Sequence, residues 1–107
     1  MHRVAVLIHD GMAPFEFGTV VEVFGLVRPE LEGACSYDLR VVAETPGVPL
    51  RFVGGFSVVA PCGLEALSDA HTVIVPAWSP DREPSDALLG AIRAVDVRGG
   101  RLVSICS

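Results

Sequence analysis

The last strand-like run of the sequence, Leu102 to Ile105, delivers Cys106 and Ser107 at its carboxyl end. In an open α/β sheet ligands bind outside the carboxyl ends of the strands, and the amino end of a following helix stabilises an anion. A thiol placed there can be held as the thiolate that nucleophilic chemistry requires. The residues alone leave three roles open for Cys106: a nucleophile, a sensor of small molecules, or a small apolar side chain packed at a strand end. His9 and His71 stand at strand or loop ends, where an imidazole can act as a base. A lone histidine on a turn is more often a surface residue, and both are read that way. Glu16 falls two residues after Pro14, in the first turn of an expected helix, where the helix dipole favours a carboxylate with no chemistry required. Cys35, Cys62 and Cys106 are an odd number at wide spacing. That pattern fits neither a disulfide framework nor paired metal ligands, so free thiols in a reducing compartment are expected, with no metal and no cofactor.

The elements that must position these side chains follow from the apolar pattern. Val4 to Ile8 is a continuous apolar run closed by His9, Asp10 and Gly11, which suits a strand buried on both faces. Pro14 opens a helix in which Phe17, Val20, Val21 and Phe24 share one face, ending at Gly25 or Pro29. Tyr37 to Ala43 is the next strand. Leu50 to Val53 and Phe56 to Val59 flank Gly54-Gly55 as an antiparallel excursion. Gly63 to Leu67 is one short helical turn, and Thr72 to Val75 is a fully apolar strand ending at Pro76. A polar, proline-broken loop then reaches Ser85, the expected N-cap of a helix carrying Leu88, Ala91, Ile92 and Val95 and stopping at Gly99-Gly100. This order predicts an open, mostly parallel α/β sheet with helices on both faces. Two substantial helices are few for such a sheet. A missing helix that buried three or four large apolar side chains would contribute roughly 1.5–3 kcal/mol for each, so the chain is expected to be the front part of a larger domain.

Half of the 107 residues are hydrophobic, enough for a core. The net charge is −5, and all eight basic residues are arginines scattered from Arg3 to Arg101 without the stripe that tracks a phosphate backbone. The apolar runs are too short for a membrane span or a signal peptide, so a cytoplasmic location is expected.

Four stretches in order carry a likeness: "HDGMAPFEFGTVVEVFG", "GGFSVVAP", "TVIVPAW" and "GGRLVSICS". Together they resemble the ThiJ/PfpI, class I glutamine amidotransferase-like, domain at the front of a branch of AraC-family transcription regulators. The resemblance implies a flavodoxin-like three-layer α/β sandwich with a mostly parallel sheet, incomplete at its C-terminal end in this chain. Residues 1–107 would be the N-terminal part of one such domain, with its remainder and a DNA-binding helix-turn-helix module lying outside. It also implies that Cys106 sits on a nucleophile elbow, that Glu16 faces it, and that a homodimer forms.

Two positions depart from the catalytic members of that family. Where many carry Gly-Gly after the proline of the "VIVP" strand, this chain has Ala77 and Trp78, so these residues border the cleft and Trp78 fills space that backbone N–H groups would otherwise share with an oxyanion. Ser107 stands where the protease-like branch has a histidine, which removes the obvious base, although hydratase relatives also have a small hydroxyl there. Cys106 and Glu16 are thus the expected reactive pair, with Ala77, Trp78 and Ser107 lining a small-molecule site. The leading expectation is a regulatory and dimerisation domain that senses a small molecule. The competing one is a cysteine hydratase-type enzyme acting on isonitriles, in which Cys106 attacks an electrophilic carbon and Glu16 handles protons. A dimerisation module with a relic site is a third. The acidic balance predicts that this segment alone binds no DNA: in a filter-binding assay at physiological ionic strength, no salt-dependent retention of duplex DNA is expected.

Overall fold

A computed structural model describes residues 2–25, 37–76, 78 and 83–105. Its centre is a four-stranded parallel sheet. Strand β1 (His2–Leu7) lies between β2 (Tyr37–Val42) and β5 (Thr72–Pro76), and β6 (Arg101–Ile105) flanks β5 on the far side. Strands β3 (Pro49–Phe52) and β4 (Phe56–Val59) form a separate antiparallel hairpin across Gly54 and Gly55, both at positive φ. With the hairpin set aside, the strands run in the order 2-1-3-4, which is the flavodoxin-like arrangement. Val4 pairs with Leu39 on one side and Thr72 on the other, and Ile74 pairs with Val103.

Alternation along the strands divides the core into two layers. On one face Ala5, Leu7 and Val73 pack with Leu67, Leu88 and Val95. Leu88 and Val95 come from helix α2 (Asp86–Val97), and Leu67 from a short 3-10 segment, Leu64–Asp69. Helix α2 starts as expected: the Ser85 hydroxyl accepts a hydrogen bond from the Leu88 N–H at 3.1 Å. It ends with Gly99 at φ 83°, and the Arg98 guanidinium donates to the carbonyls of Leu67 and Ala70, tying the helix to the 3-10 segment. On the other face Val4, Val6 and Ile74 pack with Val20 of helix α1 (Pro14–Val20).

Helix α1 is shorter than its apolar stripe suggests. The Thr19 hydroxyl donates back to the Phe15 carbonyl at 2.9 Å, a bond that weakens and bends helices, and the chain then widens into a π-helical turn over Val21–Gly25. The stripe is kept, with Phe17 and Phe24 half-buried against the sheet.

A third cluster, Ile8, Met12, Ala43, Leu50, Phe52 and Ala60, seats the hairpin against the end of β1. Hydrogen bonds stitch the β1–α1 loop to it: Gly11 N–H donates to the Arg51 carbonyl at 2.6 Å, and Val53 N–H to the Met12 carbonyl at 2.9 Å. Gly11 has φ 83°, a left-handed turn that glycine adopts without strain. The loop that leads into α1 is therefore fixed at both ends.

Between α1 and the sheet an apolar groove of about 450 Å³ remains open, walled by Val20, Phe24, Val4, Ile74, Val103 and Ile105. No helix among the described residues covers it, whereas α2 closes the opposite face over Leu88. Truncating the closed side should be costly: Leu88→Ala is expected to lower the unfolding free energy by about 2–5 kcal/mol, and Ser85→Ala by about 1 kcal/mol, both read from urea unfolding midpoints. A Leu88→Ala loss no larger than that of Ser85→Ala would show that α2 does not clamp this face.

Candidate functional site

The carboxyl ends of β1, β5 and β6 lie side by side, because Val6 pairs with Ile74 and Ile74 with Val103 in parallel register. His9 and Trp78 follow β1 and β5 in the sequence, so topology brings them to one edge of the sheet. Cys106, Ser107, Ala77 and Cys35 lie outside the described residues. Glu16, His9 and Trp78 lie within them.

Glu16 stands in the first turn of α1, one helical turn before Val20. Residues four apart share a helix face, and Val20 packs on Val4, Val6 and Ile74, so Glu16 is on the sheet-facing stripe at its carboxyl end. Its side chain is 5% exposed, and Oε2 has no hydrogen-bond partner among the described residues. Leaving a buried polar atom unpaired costs about 1–3 kcal/mol. The helix dipole explains a carboxylate in this turn but not one turned inward with an oxygen unpaired among the described residues.

His9 corrects a sequence expectation. It was expected on the surface, yet it is 4% exposed. The residue continues the buried end of β1, where Ile8 N–H still donates to the Val42 carbonyl at 2.8 Å. Its ring then packs against the Trp78 indole, with centroids 4.5 Å apart and planes tilted by 56°. Nδ1 lies 3.0 Å from the Asp10 carbonyl. A carbonyl can only accept, so Nδ1 carries the hydrogen and Nε2 is the basic nitrogen of the neutral ring. Asp10 is itself held, its Oδ1 accepting from Arg51 N–H at 2.7 Å. The signal in the sequence was the position of His9, directly after a run buried on both faces at a central strand's carboxyl end.

His71 lies elsewhere. It is exposed at the amino edge of the sheet, where its Nδ1 accepts from Arg3 N–H at 2.8 Å and its own N–H donates to the Arg3 carbonyl at 2.8 Å. That reciprocal pair closes β1 onto β5 and leaves His71 far from the carboxyl ends. Trp78 is half-buried and also packs on the α2-side core, so the indole bridges that core and the His9 ring. Cys62 is a free, half-buried thiol bridged to Val42. Arg40 beside it is raised above the ordinary arginine value, first by its hydrogen bonds to Asp38 and to a lesser extent by Cys62, while Asp38 is lowered by the same guanidinium.

The open groove described above is lined by none of His9, Glu16 or Trp78, so that groove and the candidate site are different places. Among the described residues no three His, Cys, Asp or Glu side chains converge as metal ligands. No helix among them is long and apolar enough to cross a membrane.

No protein-family model and no curated protein matches the sequence. Solved structures do. A putative transcriptional regulator from Vibrio parahaemolyticus superposes with a TM-score of 0.78 at 20% identity, covering 96% of this chain and 55% of its own. A DJ-1 superfamily protein from Agrobacterium tumefaciens gives 0.73 at 17%, covering 99% and 54%. An AraC family transcriptional regulator from Pseudomonas putida gives 0.70 at 17%, covering 97% and 55%. The chain therefore has the fold of DJ-1 superfamily proteins, and it spans about half the length of the solved structures it matches.

The unpaired Glu16 oxygen generates a stability prediction. Replacing this buried carboxyl, one oxygen of which is unpaired among the described residues, by an apolar side chain of similar size removes the desolvation cost of that oxygen, so Glu16→Leu is expected to leave the unfolding free energy unchanged or raise it by about 1–3 kcal/mol. A loss of more than about 1 kcal/mol in thermal or urea unfolding would assign the carboxyl a structural bond instead.

Proposed function

We propose that this chain is the front part of a regulatory domain of an AraC-type transcription regulator. It takes part in dimerisation and senses a small molecule at a site built from Cys106 and Glu16. The observation that carries the reading is Glu16, a carboxyl turned inward at the strand-end edge with one oxygen unpaired among the described residues, a group that a ligand or a reactive thiol could pair with. Likeness of fold to two transcription regulators supports the regulatory role. Likeness of fold alone does not carry chemistry, so the role rests on the site. DNA contact belongs to a module outside this chain, in keeping with its net charge of −5 and scattered arginines. The location that goes with this role is the cytoplasm.

In this reading Glu16 hydrogen-bonds the Cys106 sulfur, and the two groups hold one proton between them. A carboxylate and a thiolate in contact would repel, whereas a shared proton turns the contact into a charge-assisted hydrogen bond. Trp78 and Ala77 border the cleft, and Ser107 follows the cysteine as a hydroxyl that can bond a ligand.

The second reading, a cysteine hydratase-type enzyme, is favoured by one observation: His9 is buried beside Trp78 rather than on the surface. A base at the same edge would let the thiol add to an electrophilic carbon. Turnover of an isonitrile by the intact protein would decide for the enzyme.

Both readings require a reactive thiol. With iodoacetamide at neutral pH, Cys106 of the intact protein is expected to alkylate faster than Cys35 and Cys62, and Glu16→Gln to change its rate at least severalfold. Cys62 is the comparator within the described residues, a half-buried free thiol. Equal labelling of all three thiols would leave Cys106 a packing role only.

A further inference from the structure

We infer that His71 is a pH-sensitive clasp: its neutral ring holds the amino ends of β1 and β5 together by accepting a hydrogen bond at Nδ1, and a proton on that nitrogen opens the clasp.

The clasp sits where the ladder of the sheet begins. β5 starts at Thr72, and the residue before it turns both its backbone and its ring toward Arg3 of β1. The His71 N–H donates to the Arg3 carbonyl at 2.8 Å, and the His71 carbonyl accepts from the Arg101 N–H at 2.9 Å, so this one residue ties the starts of β1 and β6. The ring adds a third bond, in which Nδ1 accepts from the Arg3 N–H at 2.8 Å. A backbone N–H can only donate, so Nδ1 carries no hydrogen and the ring is the neutral Nε2–H tautomer. An imidazolium has a hydrogen on both nitrogens and accepts at neither. Taking up a proton therefore breaks this bond and leaves the Arg3 N–H to water.

The neighbouring histidine is built the other way. His2 Nε2 lies 2.8 Å from the Thr72 hydroxyl, which can donate or accept, so His2 keeps that contact in either charge state. Its ring stands 5.0 Å from the His71 ring between centroids, tilted by 33°. A proton on both rings places two like charges side by side, and the Arg101 side chain lines the same groove as His2. The other charged or titratable groups at this edge among the described residues are Arg3 itself, Tyr37 of β2, whose ring meets His2 edge-on, Asp69 at the end of the 3-10 segment, and Arg98, bonded to the Ala70 carbonyl. The described ion pairs, Arg40 with Asp38 and Arg51 with Asp10, involve neither histidine ring. Acidification thus adds positive charge here with no paired carboxylate among the described residues to offset it.

The bond exists only while Nδ1 is unprotonated, so its contribution is present at the alkaline side and lost as the pH falls. His2, Thr72 and Arg101 also form the amino-end rim of the apolar groove. Opening the clasp loosens that rim, at the end of the sheet opposite to His9 and Glu16.

The test is nuclear magnetic resonance of the intact protein, labelled with nitrogen-15 in arginine and histidine and titrated from about pH 8 to about pH 5, a window that spans the ordinary histidine value. At the alkaline end the His71 ring nitrogens are expected to report the Nε2–H tautomer. On acidification the Arg3 amide proton is expected to move upfield along the same curve as the His71 ring. Its protection from solvent exchange, corrected for the intrinsic pH dependence, is expected to fall about threefold to tenfold, as for the loss of one hydrogen bond. In His71→Asn the side-chain oxygen takes the place of Nδ1 as an acceptor that does not titrate, so the Arg3 amide should no longer move with pH. In His2→Phe a ring is kept beside Tyr37 without a charge, and the Arg3 amide should still follow His71. An Nδ1–H tautomer at the alkaline end, or an Arg3 amide that stays in place while the His71 ring titrates, overturns the inference. So does an Arg3 amide that moves equally in His71→Asn, or one that no longer moves in His2→Phe, since each assigns the effect to another group. Should either variant fail to fold, the tautomer and the shared titration curve of the wild type decide.

Discussion

Strand β1 is paired on both edges and buried on both faces, and everything that matters in this chain is placed by that one circumstance. Its parallel hydrogen bonds to β2 and β5 fix where its carboxyl end lies. Val4 and Val6 point to the α1 layer, Ala5 and Leu7 to the α2 layer, so a one-residue slip would turn each set into the wrong core. Because the register cannot slip, the residues just past Leu7 have nowhere to go but the edge where the neighbouring strands also end. His9 is buried for that reason. Glu16 is delivered by the same route, since the short, hydrogen-bonded loop after β1 leaves α1 only one way to start.

Much of the framework was legible in the sequence because local and tertiary signals agreed. The continuous apolar runs of β1 and β5, the Ser85 cap, the stripe Leu88, Ala91, Ile92, Val95 and the Gly54-Gly55 hairpin all appear where periodicity and turn chemistry put them. The π-helical turn after Val20 was not legible: Phe17, Val20, Val21 and Phe24 fit a continuous α-helix equally well, and the cause is a hydroxyl bond from Thr19 that no periodicity encodes. Glu16 was placed in the right turn, but its burial could not be read, because the dipole gives a sufficient reason for a carboxylate there facing solvent. His9 was misread because burial at a strand end depends on what covers it, and the cover, Trp78, comes from a loop sixty-nine positions later in the sequence. The expectations for Cys106, Ser107 and Ala77 concern residues beyond those described.

The site and the scaffold make different demands on stability. The α2 layer is closed, with Leu88 and Val95 fully buried and Arg98 bonded to two carbonyls. The strand-end edge instead keeps, among the described residues, a carboxyl oxygen unpaired and a histidine where an apolar residue would pack. Free energy is spent at the edge and recovered in the layer, the distribution expected where a polar arrangement is retained for what it binds or reacts with. A regulator and an enzyme would share this distribution.

The contact between Trp78 and His9 also makes the molecule its own optical instrument. Trp78 is the single tryptophan of the sequence, so all indole emission originates at the edge where the candidate site lies. A charged imidazolium against an indole quenches its excited state more than a neutral ring does, and a change of solvent exposure shifts the emission wavelength. Any molecule that enters, any proton that arrives on His9 and any movement of the β5 loop would register as a change in brightness or colour, with no dye attached.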